Sequence, residues 1–214
     1  MKGKILILSS ILGLAASSQA LTFLSDRSMV GANDGISWGQ FGPEFTDIPS
    51  VSNGFTDNGG LFQVLGPDGQ TPIERVDQPS SWAGDFNDGD QLIWDQVPGG
   101  LTIRLAQSVN AIGLQLDPDA YGAFIGHIEA YDGLGNDLGG FDANGTVTNN
   151  DDGSALFLGV GSDRFNIAKI VITSTNDGSG LAVNQVSMQE CVPEPASFAV
   201  LGLGALALIR RRRR

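Results

Sequence analysis

Histidine, cysteine and basic side chains are scarce in this chain, and each scarcity excludes a class of explanation. A single cysteine, Cys191, permits no intramolecular disulfide, so the fold must rest on its core. A body of about 175 residues is large enough to bury one. Cys191 is read as an inert thiol, with inter-chain pairing as the alternative. The one histidine, His127, stands between Gly126 and Ile128 in a strand-like stretch and is read as a structural strand residue. Zinc-ligand spacing and a Gly-x-Ser-x-Gly elbow are both missing, so neither metal-assisted hydrolysis nor a Ser-His-Asp triad has its parts. Between Leu21 and Pro195 the basic residues are only Arg27, Arg75, Arg104, Arg164 and Lys169, against all 24 acidic residues of the chain, a formal charge of −19. Phosphate contacts need clustered Lys and Arg, so nucleic-acid binding is excluded. Helical periodicity is absent from this body, and the longest apolar runs lie at the two ends.

Those ends carry an address. Met1 to Ala20 opens on Lys2 and Lys4, runs apolar from Ile5 to Ala16, and closes on Ser18-Gln19-Ala20, with small residues where a signal peptidase needs them. A signal helix over 1–20, cut after Ala20, is expected in preference to an uncleaved anchor, because the apolar run is shorter than the roughly 20 residues of a comfortable span. At the other end, Pro193, Glu194 and Pro195 break any structure entering from the body. They precede an apolar helix up to Ile209 and then Arg210, Arg211, Arg212, Arg213 and Arg214. From Ala196 the run makes a helix of about 21 Å, a marginal span of a hydrocarbon core about 30 Å thick. Arginine stems can snorkel across the mismatch. The arginines act as a stop-transfer device and stay cytoplasmic, as do the N-terminal lysines. Both ends place the middle of the chain outside.

The order Val-Pro-Glu-Pro-Ala-Ser, apolar helix and Arg cluster resembles the PEP-CTERM sorting signal of Gram-negative bacteria. The resemblance covers 191–214 and implies processing by exosortase, a membrane cysteine transpeptidase, in strains that make exopolysaccharide. It further implies an inner-membrane-anchored precursor and a product at the cell surface or outside the cell. Pro193, Glu194 and Pro195 would be the sorting motif.

Within the body, short apolar or alternating runs recur between Gly, Asp, Asn and Pro clusters, the pattern of an all-β fold. One antiparallel β-sandwich is expected over 21–190. Expected strands are Leu21–Leu24, Leu61–Leu65, Gln91–Trp94, Leu101–Leu105, Val109–Leu116, Ala123–Tyr131, Asp137–Phe141, Ala155–Val160, Ile167–Thr173 and Leu181–Met188. The clearest hairpin turns through Asp132-Gly133-Leu134-Gly135-Asn136, where Gly supplies positive φ. Ser25 to Asp90 reads as long loops with at most one strand packed on the sandwich. Tyr121-Gly122-Ala123-Phe124, Ile128 to Asp132 and Asp152 to Val160 resemble stretches of PEP-CTERM proteins with jelly-roll-like ectodomains, which implies a fold and no activity.

Three kinds of chemistry can be weighed. Asp85, Asn87, Asp88 and Asp90 set hard oxygen atoms around Gly89, as a structural calcium ion prefers. Gly89 and Gln96 stand where an EF-hand needs ligands, so that pattern is rejected, and a plain turn whose Asn and Asp accept local bonds is the competing reading. Asn149, Asn150, Asp151 and Asp152 pose the same alternative. Sugar contact would use exposed rings: Trp82 in a loop-like context is the best candidate, Trp38 is undecided, and Trp94 is expected in the core. A glycoside hydrolase needs two carboxyl groups about 5–9.5 Å apart, and Glu44, Glu74 and Glu129 fall in dissimilar contexts that nominate no pair. The favoured reading is a non-catalytic exported surface or matrix protein associated with exopolysaccharide or biofilm. An enzyme acting on that polysaccharide is the alternative.

Overall fold

The computed structural model describes residues 20–176 and 178–191. The expected signal helix, the Pro-Glu-Pro motif, the apolar run behind it and the arginine tail lie outside the described residues; Ala20 is exposed, just ahead of the first strand. The described chain is all-β, with strands β1 (Leu21–Leu24), β2 (Asp34–Ile36), β3 (Thr46–Ile48), β4 (Val51–Phe55), β5 (Leu61–Leu65), β6 (Ile73–Asp77) and β7 (Gln91–Trp94). After these come β8 (Leu101–Pro118), β9 (Gly122–Tyr131), β10 (Asp137–Val147), β11 (Leu156–Ser162), β12 (Ile167–Ser174), β13 (Leu181–Val183) and β14 (Val186–Glu190). Two 3-10 turns, Arg27–Val30 and Trp38–Phe41, interrupt the first third.

The 18-residue strand β8 organises the sandwich. Its first half pairs antiparallel with β5 on one side and β12 on the other, and β12 leads on to β9 and β10. Its second half pairs with β11, β13 and β14, and through them with β1, β7 and β2. The expected strands Leu101–Leu105 and Val109–Leu116 are therefore one element that passes from one sheet into the other. In the first half Leu101 and Ile103 point inward and Arg104 outward, an alternation that leaves one face to solvent. Residues from Ala111 to Leu114 are buried throughout, because both faces are covered there. Ile103, Ile128, Ile170 and Ile172 from one sheet belong to the same core as Leu114, Leu158, Val160 and Met188 from the other. Full burial of each such side chain contributes about 1.5–3 kcal/mol.

The predicted hairpin is present and longer than expected, pairing Tyr131 with Asp137 at its tip and Gly122 with Val147 at its base. Asp132 closes the tip: its carboxylate accepts from the backbone N–H groups of Leu134 and Asn136 and from the Asn136 side chain, all at 2.8 Å. Gly135 takes φ 85° there, which a residue with a Cβ reaches only with strain.

The first third departs from expectation. The segment holds the expected strand β5 and, where loops were expected, β2, β3, β4 and β6 as well. Strands such as Val51-Ser52-Asn53-Gly54-Phe55 lack apolar alternation because they lie at the rim, with β4 bonded to β5 alone. A second correction concerns Leu181–Met188, which divides into β13 and β14 at Asn184. Asn184 is buried; its N–H donates to the Gln115 carbonyl (3.1 Å), and its side-chain oxygen accepts from the Gln115 N–H (3.0 Å). The side chain thus replaces a rung of the ladder.

Candidate functional site

The acidic segment after β6 turns inward. Asp85 is 0% exposed, and both its carboxylate oxygens are occupied by protein donors. Oδ1 accepts from the Thr148 hydroxyl (2.9 Å) and the Asn150 N–H (2.8 Å), while Oδ2 accepts from the Thr148 N–H (2.7 Å). Asp85 thereby ties its own loop to the stretch after β10. Asn87 and Asp88 are exposed, and Asp90 Oδ2 accepts from the Asn184 amide (3.2 Å). Asp85, Asn87, Asp88 and Asp90 are thus not gathered around one point. Among the described residues no group of three or more His, Cys, Asp or Glu is placed to hold a metal ion. Local turn bonds are made by Asp90, whose Oδ2 also accepts from the Asn87 N–H (3.3 Å), and by the Asp152 carboxylate, which accepts from the Ser154 N–H at 3.0 Å, whereas the Asp85 bonds are long-range.

Beside Asp85 lies Asp117, at the end of β8 and also 0% exposed. Its Oδ2 accepts from the Asp85 N–H (2.7 Å), and its Oδ1 has no partner among the described residues. Burial, and the negative charges of Asp85 and Asp152, push its pKa up to about 7 against the single opposing bond from the Asp85 N–H. A half-protonated carboxyl at neutral pH beside a second carboxylate has the charge pattern of a catalytic pair. Both groups are sealed in the interior, however, so the arrangement holds a proton and two loops without reaching a substrate. Gly84 makes the close approach possible, since a Cβ there would stand 2.5 Å from Trp82 Nε1 and 2.8 Å from Asp117 Oδ2.

The tryptophans are not sugar platforms. Trp82, expected as the best exposed ring, is 6% exposed and packs at 5.8 Å against Trp94 over a small core with Val76, Phe86 and Leu92. Trp38 is fully buried, its Nε1–H donating to the Asn184 carbonyl (2.8 Å) and its ring meeting Phe41 and Phe62. A loop-like sequence context misled here because the segment folds back over its own core. Trp94, expected inside, is the half-buried one, with Nε1–H donating to the Ser179 carbonyl (2.9 Å). The three glutamates do not converge either. Glu44 accepts from the Ser80 hydroxyl (2.6 Å), Glu74 faces Asp47 on β3, and Glu129 accepts from the Tyr131 hydroxyl (2.6 Å).

The open part of the molecule is the outer face of the sheet β4-β5-β8-β12-β9-β10. Register sets one row of side chains across it: Asn53 opposite Gln63, Gln63 opposite Arg104, Arg104 opposite Lys169, Lys169 opposite Tyr131. Lys169 Nζ sits 3.3 Å from the centre of the Tyr131 ring, a cation–π contact. The Glu129 carboxylate accepting its hydroxyl raises the Tyr131 pKa to about 12, so the phenol keeps its proton. A second row carries His127, a strand residue as expected, whose Nδ1 lies 2.6 Å from Asp142 Oδ1 across the β9–β10 ladder. Arg104 has neither ion pair nor hydrogen bond from its side chain among the described residues. The sequence shows no such row, because Arg104, Lys169 and Tyr131 stand far apart along the chain and only strand register joins them. An unexplained base in so acidic a body was the one available signal.

The domain closes against its own beginning. Asn33 grips the last residue of β14 from both sides, its amide donating to the Glu190 carbonyl (3.0 Å) and its oxygen accepting from the Glu190 N–H (2.7 Å). Burial and the neighbouring Asp34 carboxylate push the Glu190 carboxyl above its ordinary range. Cys191 follows, exposed and unpaired. No helix among the described residues is long and apolar enough to cross a membrane.

Comparison with known proteins adds one assignment. Residues 192–214 match the family model of the PEP-CTERM protein-sorting motif, so the C-terminal segment read as a sorting signal is one. No curated protein matches the chain. Among solved structures, a DUF4465 family protein from Bacteroides caccae is similar at 10% identity and a TM-score of 0.39, over 86% of this chain and 99% of that one. The enzymatically active domain of tailspike protein 4 from bacteriophage CBA120 is similar at 11% identity and a TM-score of 0.26, over 80% of this chain and 19% of that one. Likenesses at these scores carry no argument about function.

Proposed function

We propose that this chain is an exported, non-catalytic surface or matrix protein whose sandwich is delivered outside the inner membrane, released or retained by exosortase, and associated there with exopolysaccharide. The observation that carries the reading is the junction. The last strand ends at Glu190 and the sorting motif begins at residue 192, so the folded unit is complete before the processing signal starts. The motif implies a secreted, membrane-anchored precursor and exosortase as its processing partner. Signal peptidase acting after Ala20 and a tail that resists translocation supply the two remaining parts.

The non-catalytic half of the proposal draws support from the carboxyl groups. Asp85 and Asp117 are closely set, but they are buried and serve as internal acceptors. His127 is engaged with Asp142 on an open sheet face. Fractionation in strains with and without exosortase tests the sorting. Wild type should leave the inner membrane only where exosortase is present, and Glu194→Ala should stay membrane-bound in both strains. Neutral replacements at Arg210 to Arg214 should let part of the precursor slip through uncut. Identical location of wild type and Glu194→Ala in both strains would overturn the proposal.

A further inference from the structure

Arg104 and Lys169 face one another on neighbouring strands. Like charges directly opposite in a sheet repel, and in a body with five bases and 24 acids a carboxylate could readily have stood in either place. Among the described residues no carboxylate forms an ion pair with either base, although Asp132 lines the same depression. Asp132 spends its oxygens closing the hairpin tip, Glu129 accepts from Tyr131, and Asp137 accepts from the Gly139 N–H (2.7 Å). Lys169 is held over the Tyr131 ring, and Arg104 projects from β8 with no side-chain partner among the described residues. Two cations are thus kept together with no ion pair to either among the described residues, Arg104 exposed and Lys169 half-buried, and only the Lys169–Tyr131 contact returns anything to the fold.

The surroundings define what they suit. Shallow depressions of about 450 Å³ and about 420 Å³ flank the Arg104–Ala106 segment of β8. The first holds the amides of Asn53 and Gln63, which can both donate to and accept from hydroxyl groups. Leu61 and Leu134, both exposed, rim the two depressions and offer apolar surface to the C–H face of a sugar ring. The row from Asn53 to Tyr131 crosses five strands, about 19 Å at about 4.8 Å per spacing, which is the reach of an extended chain.

We propose that this face binds an acidic polysaccharide, with Arg104 and Lys169 meeting its carboxylate groups and Asn53 and Gln63 its hydroxyls. The proposal rests on the reading of the chain as polysaccharide-associated and names the class of polymer and the surface that takes it. The guanidinium fork fits a carboxylate in two parallel bonds, which lysine alone cannot make. At physiological salt, repulsion from the rest of the acidic body is screened beyond about 8 Å, so contact chemistry at the pair decides the outcome.

The test uses the full chain, with polygalacturonate as the acidic probe and dextran as the neutral one. Wild type should bind polygalacturonate more tightly than dextran. Arg104→Gln with Lys169→Gln should weaken polygalacturonate binding at least about tenfold, the size of one lost charge-assisted contact. Both positions being solvent-facing, the melting temperature of that variant should be unchanged or slightly higher. No binding of polygalacturonate by wild type, or equal binding by the double variant, overturns the inference. Equal binding of both polymers, untouched by the substitutions, would leave polysaccharide association standing and remove the charged face from it. Self-association abolished by the same substitutions would instead assign the face to a second, acidic copy and overturn it too. Because export and processing are read by fractionation, failure of this inference is distinguishable from failure of the sorting proposal.

Discussion

Two polar regions of the sandwich treat charge in opposite ways. Around Asp85 and Asp117, acidic groups are taken out of water, and both Asp85 oxygens and one of Asp117 are met by backbone or hydroxyl donors. Around Arg104 and Lys169, basic groups stand in water opposite one another, and Arg104 has no partner among the described residues. The first region is what a fold needs: a buried carboxylate is costly until it is bonded, and once bonded it fixes whatever it touches. The second is what a fold does not need. Abundance of charge points to neither, since the acids are everywhere and the bases are few. Satisfaction of each group by its neighbours separates structure from function here.

The sharpest way to break this comparison is to empty the buried knot. Asp85→Ala leaves the Thr148 and Asn150 donors unmet in the interior and should cost about 3 kcal/mol. At roughly 2–4 °C per kcal/mol in a domain this size, thermal unfolding should shift down by roughly 6–12 °C. A shift under about 2 °C would mean the loop after β10 is held by something else.

A smaller effect follows from Asp117. Its pKa is about 7 in the folded chain against an ordinary value of 3.8, so the folded state holds the proton more tightly than the unfolded one. The stability this gives is fully present below about pH 4 and is lost as pH rises through about 7. The exposed turn aspartates Asp26, Asp68, Asp132 and Asp152, held below the ordinary carboxylate range by local hydrogen bonds, impose other slopes at lower pH, so the window to read is pH 5.5 to 8. Across it, wild type should lose a few degrees of melting temperature, and Asp117→Asn should flatten the curve. An unchanged slope in the variant would show that Asp117 does not carry it.

On the open face the effects should be small and of the other sign. Arg104→Gln removes a like-charge contact and should alter stability by less than about 0.5 kcal/mol, in the stabilising direction. A loss of several degrees would mean that Arg104 serves the fold. Calcium should do least. The Asp85 oxygens already have their donors, so millimolar calcium against chelator should leave the melting temperature unchanged. An increase of several degrees, the sign of a ligand bound only to the native state, would restore the Asp85, Asn87, Asp88 and Asp90 site.

How much of this was legible in advance differs by length scale. Strands with apolar alternation or a covered apolar run, such as β9, β12 and the second half of β8, were visible in the residues, as was the Asp132–Asn136 turn. Strands β2, β3, β4 and β6 were not: β3 and β4 lie at the rim with polar residues on exposed positions, and β2 and β6 are short and bury polar residues, Asp34 and Arg75, where apolar ones would be expected. The sorting motif was legible, since it is read as a linear string. Trp82 and Asp117 were illegible for the converse reason. Burial of one loop residue and the pairing of a strand aspartate with Asp85, 32 positions away, are set by the folded chain alone. The Arg104–Lys169 row depends likewise on register between strands far apart in sequence.

The central claim, export followed by cutting at the sorting motif, is met most directly by the intact mass and terminal sequence of the protein recovered from outside the inner membrane. The account predicts a chain that begins at Leu21 and has lost the apolar helix and the five arginines, ending near Pro193-Glu194-Pro195. Recovery of the uncut chain, with Met1 and Arg214 still in place in cells that carry exosortase, would contradict it.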